Sequence, residues 1–224
     1  MNQTTQMRAD VLAQVASRVP DLGRPVLVGI DGADGSGKTI FADELAGTLR
    51  GRRSGRPVVR ASGDDFHHRR AHRYAEGRTG RTVWERSFDL EALRRELLDP
   101  WRAGPGSSYR RRWHDLGTDA YVDDPPATVP VDGVLVVDCL FAQRAELRDV
   151  WDLVVWLECP DDVRVARMVE RDGRPEASDH PDQQRYLAAQ AIYRAECRPR
   201  DRAHLVVDNA DWGSPRIDLS TLAP

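Results

Sequence analysis

Residues Gly32-Ala33-Asp34-Gly35-Ser36-Gly37-Lys38-Thr39 fit the spacing glycine, four residues, glycine, lysine, serine or threonine, with Ile40 following. That spacing suits a loop whose backbone N–H groups wrap a chain of phosphates. The lysine ammonium would then sit on the terminal phosphates, and the threonine hydroxyl on a divalent cation. Lys38 is the only lysine among 33 basic residues, the other 32 being arginine. A compact ammonium fits inside such a loop where a planar, rigidly forked guanidinium does not. The competing reading is a plain glycine-rich turn between a strand and a helix.

Other residues have types suited to phosphate chemistry. Asp138 ends the apolar run 134–137, which would place a carboxylate at a strand's carboxyl end as a metal or metal-water ligand. A turn-capping aspartate is the plain alternative. Asp64 and Asp65 follow the apolar segment 57–61, where a carboxylate could take the proton of an attacking hydroxyl; a solvated turn fits equally well. Arg164, Arg167 and Arg171 recur at i, i+3 and i+7 and could close over phosphates, or form a solvated helix face. Tyr109 and His114 flank three arginines, including Arg112, in what could also be a basic surface loop.

These residues need a frame, and the hydrophobic pattern supplies one. Segment 26–30 is a continuous apolar run preceding the loop, and Phe41, Leu45 and Leu49 follow at helical spacing. Further strands are expected at 57–61, 134–137, 153–157 and 205–207, and helices at 7–19, 89–102, 161–171 and 183–197. Segment 62–86 reads as loop with little regular structure. Strands alternating with helices predict an α/β fold with a five-stranded, parallel, doubly wound sheet and ligands at the strands' carboxyl ends. The expected organisation is one domain over residues 1–224, with a substrate-binding hairpin at 104–130 and a lid at 171–182.

Composition narrows the classes. A net charge of −3 gives no electrostatic case for nucleic acid. No apolar run approaches membrane-spanning length, so no membrane partner is expected. Three widely spaced cysteines, Cys139, Cys159 and Cys197, have no metal or disulfide pattern and predict reduced thiols in a cytoplasmic setting. A homo-oligomer is compatible with these features.

The motifs together resemble the uridine kinase branch of P-loop kinases, which includes phosphoribulokinase and pantothenate kinase relatives. The resemblance runs from about residue 25 to 209. Asp64-Asp65-Phe66-His67 resembles the family's Asp-x-Phe-Tyr or Asp-x-Phe-His motif, which implies that Asp64 is the general base. Val136-Val137-Asp138-Cys139 resembles its acidic strand end, Arg164-x-x-Arg167 before Arg171-Asp172 the start of its lid, and Val206-Val207-Asp208-Asn209 its last strand. Tyr109 and His114 reproduce a tyrosine–histidine spacing that, in uridine kinases, recognises the pyrimidine and ribose.

The family implies ATP and Mg²⁺ as cofactors. Nucleotide contacts would come from residues 32–40, Arg164, Arg167 and Asn209, with metal contacts from Thr39, Asp64 and Asp138. Catalysis would fall to Asp64, Lys38 and Arg167. Acceptor contacts would come from Asp64, Phe66, His67, Glu85, Tyr109, Arg112, His114 and Arg171. Glu85 stands where the family has an Asn-Phe-Asp, and three arginines beside Tyr109 are unusual for a neutral nucleoside. The expected activity is phosphorylation of a small-molecule hydroxyl, a pyrimidine nucleoside first, a sugar or acid second. A regulatory P-loop switch would need an Asn-Lys-x-Asp motif, which a single lysine precludes. A degenerate nucleotide-binding module would not be expected to keep Lys38, Thr39, Asp64 and Asp138 together.

Overall fold

The computed structural model describes residues 3–52, 55–172 and 180–221. All seven residues of β1 (Val26–Gly32) are buried. Its odd and even side chains meet different cores. Val26, Val28 and Ile30 pack with Val15 of α1 (Gln3–Arg18) and with Phe41 and Leu45 of α2 (Lys38–Gly51). Leu27 faces Leu93, Leu97 and Trp101 on the opposite side. A strand covered on both faces needs no polar alternation, which is why segment 26–30 is apolar throughout.

The other strands are β2 (Val58–Ser62), β3 (Val134–Asp138), β4 (Leu153–Glu158), β5 (Leu205–Asp208) and β6 (Arg216–Ile217). Their order is β6-β5-β4-β1-β3-β2. β1 pairs in parallel with β3, Val28 opposite Val136, and with β4, Val28 opposite Leu153. The five expected strands are present and parallel. β6 is a sixth, antiparallel to β5, with Arg216 opposite Asp208. Two residues with no apolar run gave no strand signal.

Segment 62–86 is more regular than expected. It holds a 3₁₀ turn at Gly63–Phe66, a short helix at Arg70–Arg73 and α3 (Gly80–Arg86). Thr79 caps α3: its hydroxyl accepts from the Thr82 amide at 3.1 Å, while the Thr82 hydroxyl accepts from the Thr79 amide at 2.9 Å. Threonine replaces the Glu or Gln of the usual box, so the start signal was not apparent. Packing stabilises the helix. Val83 and Trp84 are buried with Phe141 and Tyr193, the last on α6 (Pro181–Cys197). A Cβ on Gly80 would stand 2.4 Å from Ala188 Cβ, so only glycine admits this close approach of α3 to α6.

The helix over 90–103 (α4) has a middle turn, Leu93–Leu98, widened to π geometry. α5 spans Asp161–Asp172. Segment 104–130 forms two small antiparallel pairs, Ser108–Tyr109 with Ala127–Thr128 and His114–Asp115 with Ala120–Tyr121. Of the expected lid, residues 173–179 lie outside the described residues.

Candidate active site

The loop between β1 and α2 opens onto a cleft of about 590 Å³. Gly37 turns the backbone at φ +91°, and a Cβ there would stand 2.6 Å from the Trp212 ring, so this position requires glycine. Asp34, Gly35, Gly37, Lys38, Thr39 and Ile40 line the cleft, whereas Gly32, Ala33 and Ser36 are buried behind it. The Lys38 ammonium donates to the Ala33 carbonyl at 2.9 Å.

The Thr39 hydroxyl donates to Asp138 Oδ2 at 2.7 Å, which joins the loop to the carboxyl end of β3. Arg60 on β2 donates to the other oxygen, Oδ1, at 2.6 Å. Among the described residues no group of three His, Cys, Asp or Glu could hold a metal. A hydroxyl beside a buried carboxylate nevertheless fits Mg²⁺, which takes few protein oxygens and completes its shell with phosphates and water.

The two adjacent aspartates diverge. Asp64 lines the cleft with Lys38, Thr39 and Asp138. Asp65 turns to Arg112, 3.6 Å away, and burial raises its pKa despite that arginine. The divergence follows from the 3₁₀ turn, where consecutive side chains point about a third of a revolution apart.

Two expected nucleotide contacts brace the loop from behind. Arg164 is fully buried and bonds to Asp161 at 2.8 Å and to Asp34 Oδ2 at 3.2 Å; it does not line the cleft. Asn209 is also fully buried, donating to the Ser36 carbonyl at 2.7 Å and accepting from Arg8 at 3.3 Å. Both placements have one physical source. A guanidinium or amide that satisfies loop carbonyls and carboxylates holds the loop's shape without facing its contents. Arg167 does line the cleft, donating to the carbonyls of Asn209 and Ala210 at 3.0 and 2.8 Å.

Deeper still, Asp31 is fully buried and accepts from Tyr193 Oη at 2.5 Å, Gln143 Nε2 at 3.1 Å and the Gly32 amide at 2.8 Å. Burial raises its pKa, and the Tyr193 and Gln143 hydrogen bonds oppose that rise. This network ties α6 to the root of the phosphate loop.

The far side of the cleft is built from segment 64–88 and α6. His67, Tyr74, Phe88, Arg185 and Tyr186 line it, with Arg73 and Leu116. The His67 ring lies 4.2 Å from Phe88, and its Nδ1 is 2.8 Å from the Asp64 carbonyl, which only accepts; Nδ1 therefore carries the proton. Burial lowers the His67 pKa, so its ring is neutral at neutral pH.

Several expected acceptor contacts are elsewhere. Tyr109 is 5% exposed and packs edge-on against Trp101 at 5.5 Å, in the core beneath α4. His114 is fully buried with Nε2 3.2 Å from Asp119. Arg112 faces Asp65, Asp115 and Asp124, and neighbouring Arg110 faces Glu96. Glu85 is on the exposed face of α3, 2.6 Å from Arg81, and Phe66 is a core residue. None of the five expected contacts, Phe66, Glu85, Tyr109, Arg112 or His114, lines the cleft; Asp64, His67 and Arg171 do.

Residues not anticipated also line the cleft. Trp212 lines the cleft three residues beyond Asn209, and Arg8 of α1 stacks on its ring at 4.3 Å while donating to its carbonyl at 3.0 Å. Tyr74, Arg73, Arg185 and Tyr186 belong to segments whose polar composition carried no motif.

No family model matches the chain. A curated uridine kinase of Clostridium tetani is 28% identical over 154 residues, 66% of this chain and 68% of that protein. One of Lactiplantibacillus plantarum is 25% identical over 206 residues, covering 88% and 93% respectively. A solved structure described as a possible uridine kinase from Bacillus stearothermophilus is 27% identical, with a TM-score of 0.67 over 90% of this chain and 97% of that one.

Proposed function

Because the chain is a uridine kinase-like P-loop kinase, a phosphotransferase with a hydroxyl acceptor, we propose that it uses ATP and Mg²⁺. The acceptor would be a small molecule, with a pyrimidine nucleoside as the first class to test. The observation that carries this reading is one cleft in which Asp64 lies with Lys38, Thr39 and Asp138.

Phosphoryl transfer asks a protein mainly for positioning and charge neutralisation. Asp64 takes the proton of the acceptor hydroxyl as its oxygen bonds to the γ-phosphorus and the bond to the β-phosphate oxygen breaks. Lys38 and Arg167 offset the charge spread over the transferring group. Thr39 and Asp138 would hold Mg²⁺, which when bound neutralises phosphate charge. Arg8 and Arg167 hold Trp212 at the cleft wall beside the loop, a place from which an aromatic ring would pack against the nucleotide base. Tyr74, Phe88 and Tyr186 supply the aromatic surface for the acceptor, the role that Tyr109 cannot take from the core.

The test is ADP release by a coupled assay, with and without uridine, cytidine and a panel of other hydroxyl compounds. Acceptor-dependent turnover supports the proposal. ATP hydrolysis that no acceptor stimulates would overturn it.

A further inference from the structure

The acceptor side of the cleft has an unusual charge balance. Among the described residues, beyond Asp64 it is lined by Arg73, Arg171 and Arg185 and by one carboxylate, Glu170. Three guanidinium groups surround the Tyr74 ring, with Arg73 at 5.4 Å, Arg78 at 4.9 Å and Arg185 at 5.6 Å from its centroid. Arg185 also lies 4.7 Å from the Tyr186 ring.

Their carboxylate partners are shared. Asp182 is 2.8 Å from Arg78 and 3.3 Å from Arg185 Nε. Asp119 is 3.9 Å from Arg73 but also accepts from the Arg70 amide at 2.8 Å and stands 3.2 Å from His114. Arg185 is 8% exposed, and the Nε atoms of both Arg185 and Arg73 are buried without an aligned hydrogen bond.

Burying a guanidinium is unfavourable unless an anion meets its donors. The contrast with the hairpin is informative. Arg110 and Arg112 sit among Glu96, Asp65, Asp115 and Asp124, so those arginines are matched within the fold. Arg73 and Arg185 line the cleft, where each shares its carboxylate with another group. Each keeps a buried Nε without an aligned acceptor, and Arg185 donates from its other arm to the Tyr186 hydroxyl at 3.3 Å. A guanidinium fork matches the paired oxygens of a carboxylate or phosphate. The Tyr186 hydroxyl accepts from Arg185 at 3.3 Å and the Tyr74 hydroxyl bonds to the same guanidinium, so two phenols fix its position. Burial works to raise the Tyr74 pKa, but Arg185 and its neighbours bring it below the ordinary value, which marks the local field as positive.

We propose that Arg73 and Arg185 form an oxyanion subsite, and that the acceptor carries a carboxylate or phosphate away from its reacting hydroxyl. This rests on the kinase reading for its meaning but not for its detection. The protein is saturated with Mg²⁺ and a non-hydrolysable ATP analogue, so the phosphate loop is filled, and titrated calorimetrically with inorganic phosphate. We expect one saturable site with Kd on the order of millimolar, weakened about tenfold by Arg185→Gln or Arg73→Gln and unchanged by Arg110→Gln. Retained binding of the ATP analogue shows that each variant is folded. Absence of saturation up to about 50 mM phosphate, or equal binding by all variants, overturns the subsite.

ADP release with matched pairs then identifies the anion's source: uridine against orotidine and glycerol against D-glycerate for carboxylate, ribose against ribose 5-phosphate for phosphate. The charged member should be favoured by about tenfold in kcat/KM, and Arg185→Gln should abolish that preference. A preference for the neutral members overturns the proposal. Phosphate binding without any turnover would overturn the proposed function and leave the subsite standing; turnover of uridine without phosphate binding would do the reverse.

Discussion

The two sides of the cleft are built in opposite ways. The phosphate side is one continuous stretch, residues 32–40, held by distant braces such as Arg164, Asn209 and Asp31. The acceptor side is assembled from a 3₁₀ turn, a short helix, the edge of α3 and one face of α6. A polyphosphate is the same in every reaction of this kind, so one rigid backbone cradle suffices. An acceptor varies, and side chains from separate elements can change without disturbing the cradle.

The division can be tested by variants confined to one side. The largest effect is expected for Lys38→Ala, a loss on the order of 10³-fold or more in kcat with the fold retained, because charge and not core packing is removed. Turnover within about tenfold of the parent would show that the loop does not hold the transferring phosphate.

Asp64→Asn should lower kcat by about 10²- to 10³-fold with little change in ATP affinity, and Asp65→Asn by less than about fivefold. Their divergent surroundings motivate the asymmetry, and equal losses would mean that both carboxylates serve one site.

Tyr109→Ala should destabilise the protein by about 3 kcal/mol in a denaturant melt, since it empties space beside Trp101, yet move the acceptor KM less than about twofold. A large KM change with unaltered stability would return Tyr109 to the cleft. A more modest effect is expected for Arg8→Gln, which loosens Trp212 and should raise the KM for ATP about fivefold to tenfold while leaving the acceptor KM in place. An acceptor-only change would mean that α1 serves the other side.

Much of the phosphate side was legible because its information is local. A glycine-rich turn, a lysine and a threonine are adjacent, and the flanking strand and helix show their own periods. Arg164 and Asn209 lie against this region, bonded to Asp34 and to the Ser36 carbonyl, but chain position cannot tell a brace from a contact. The acceptor side was poorly legible for a related reason. Tyr109 and His114 have a suggestive separation, yet separation says nothing about which way a short strand turns its side chains, and Tyr109 turns inward to Trp101. Segment 62–86 is polar, and α3 forms within it because Gly80 lets it press against Ala188 more than a hundred residues away. Arg185 meets Tyr74 only once that contact exists.

The register of β1 also bears on how the protein is made. Val26–Gly32 pairs only with residues 134–138 and 153–157, so the strand that carries the phosphate loop emerges early and finds both neighbours late. At translation rates of about 5–20 residues per second, roughly 6–25 s of synthesis separate Gly32 from its partner Leu157. Through that interval an apolar ribbon with unsatisfied edges is on the nascent chain, where α1 and α2 can shelter one face but not the edges. Aggregation during expression should therefore be governed by residues 26–30, and slower elongation beyond residue 51 should lengthen the exposure.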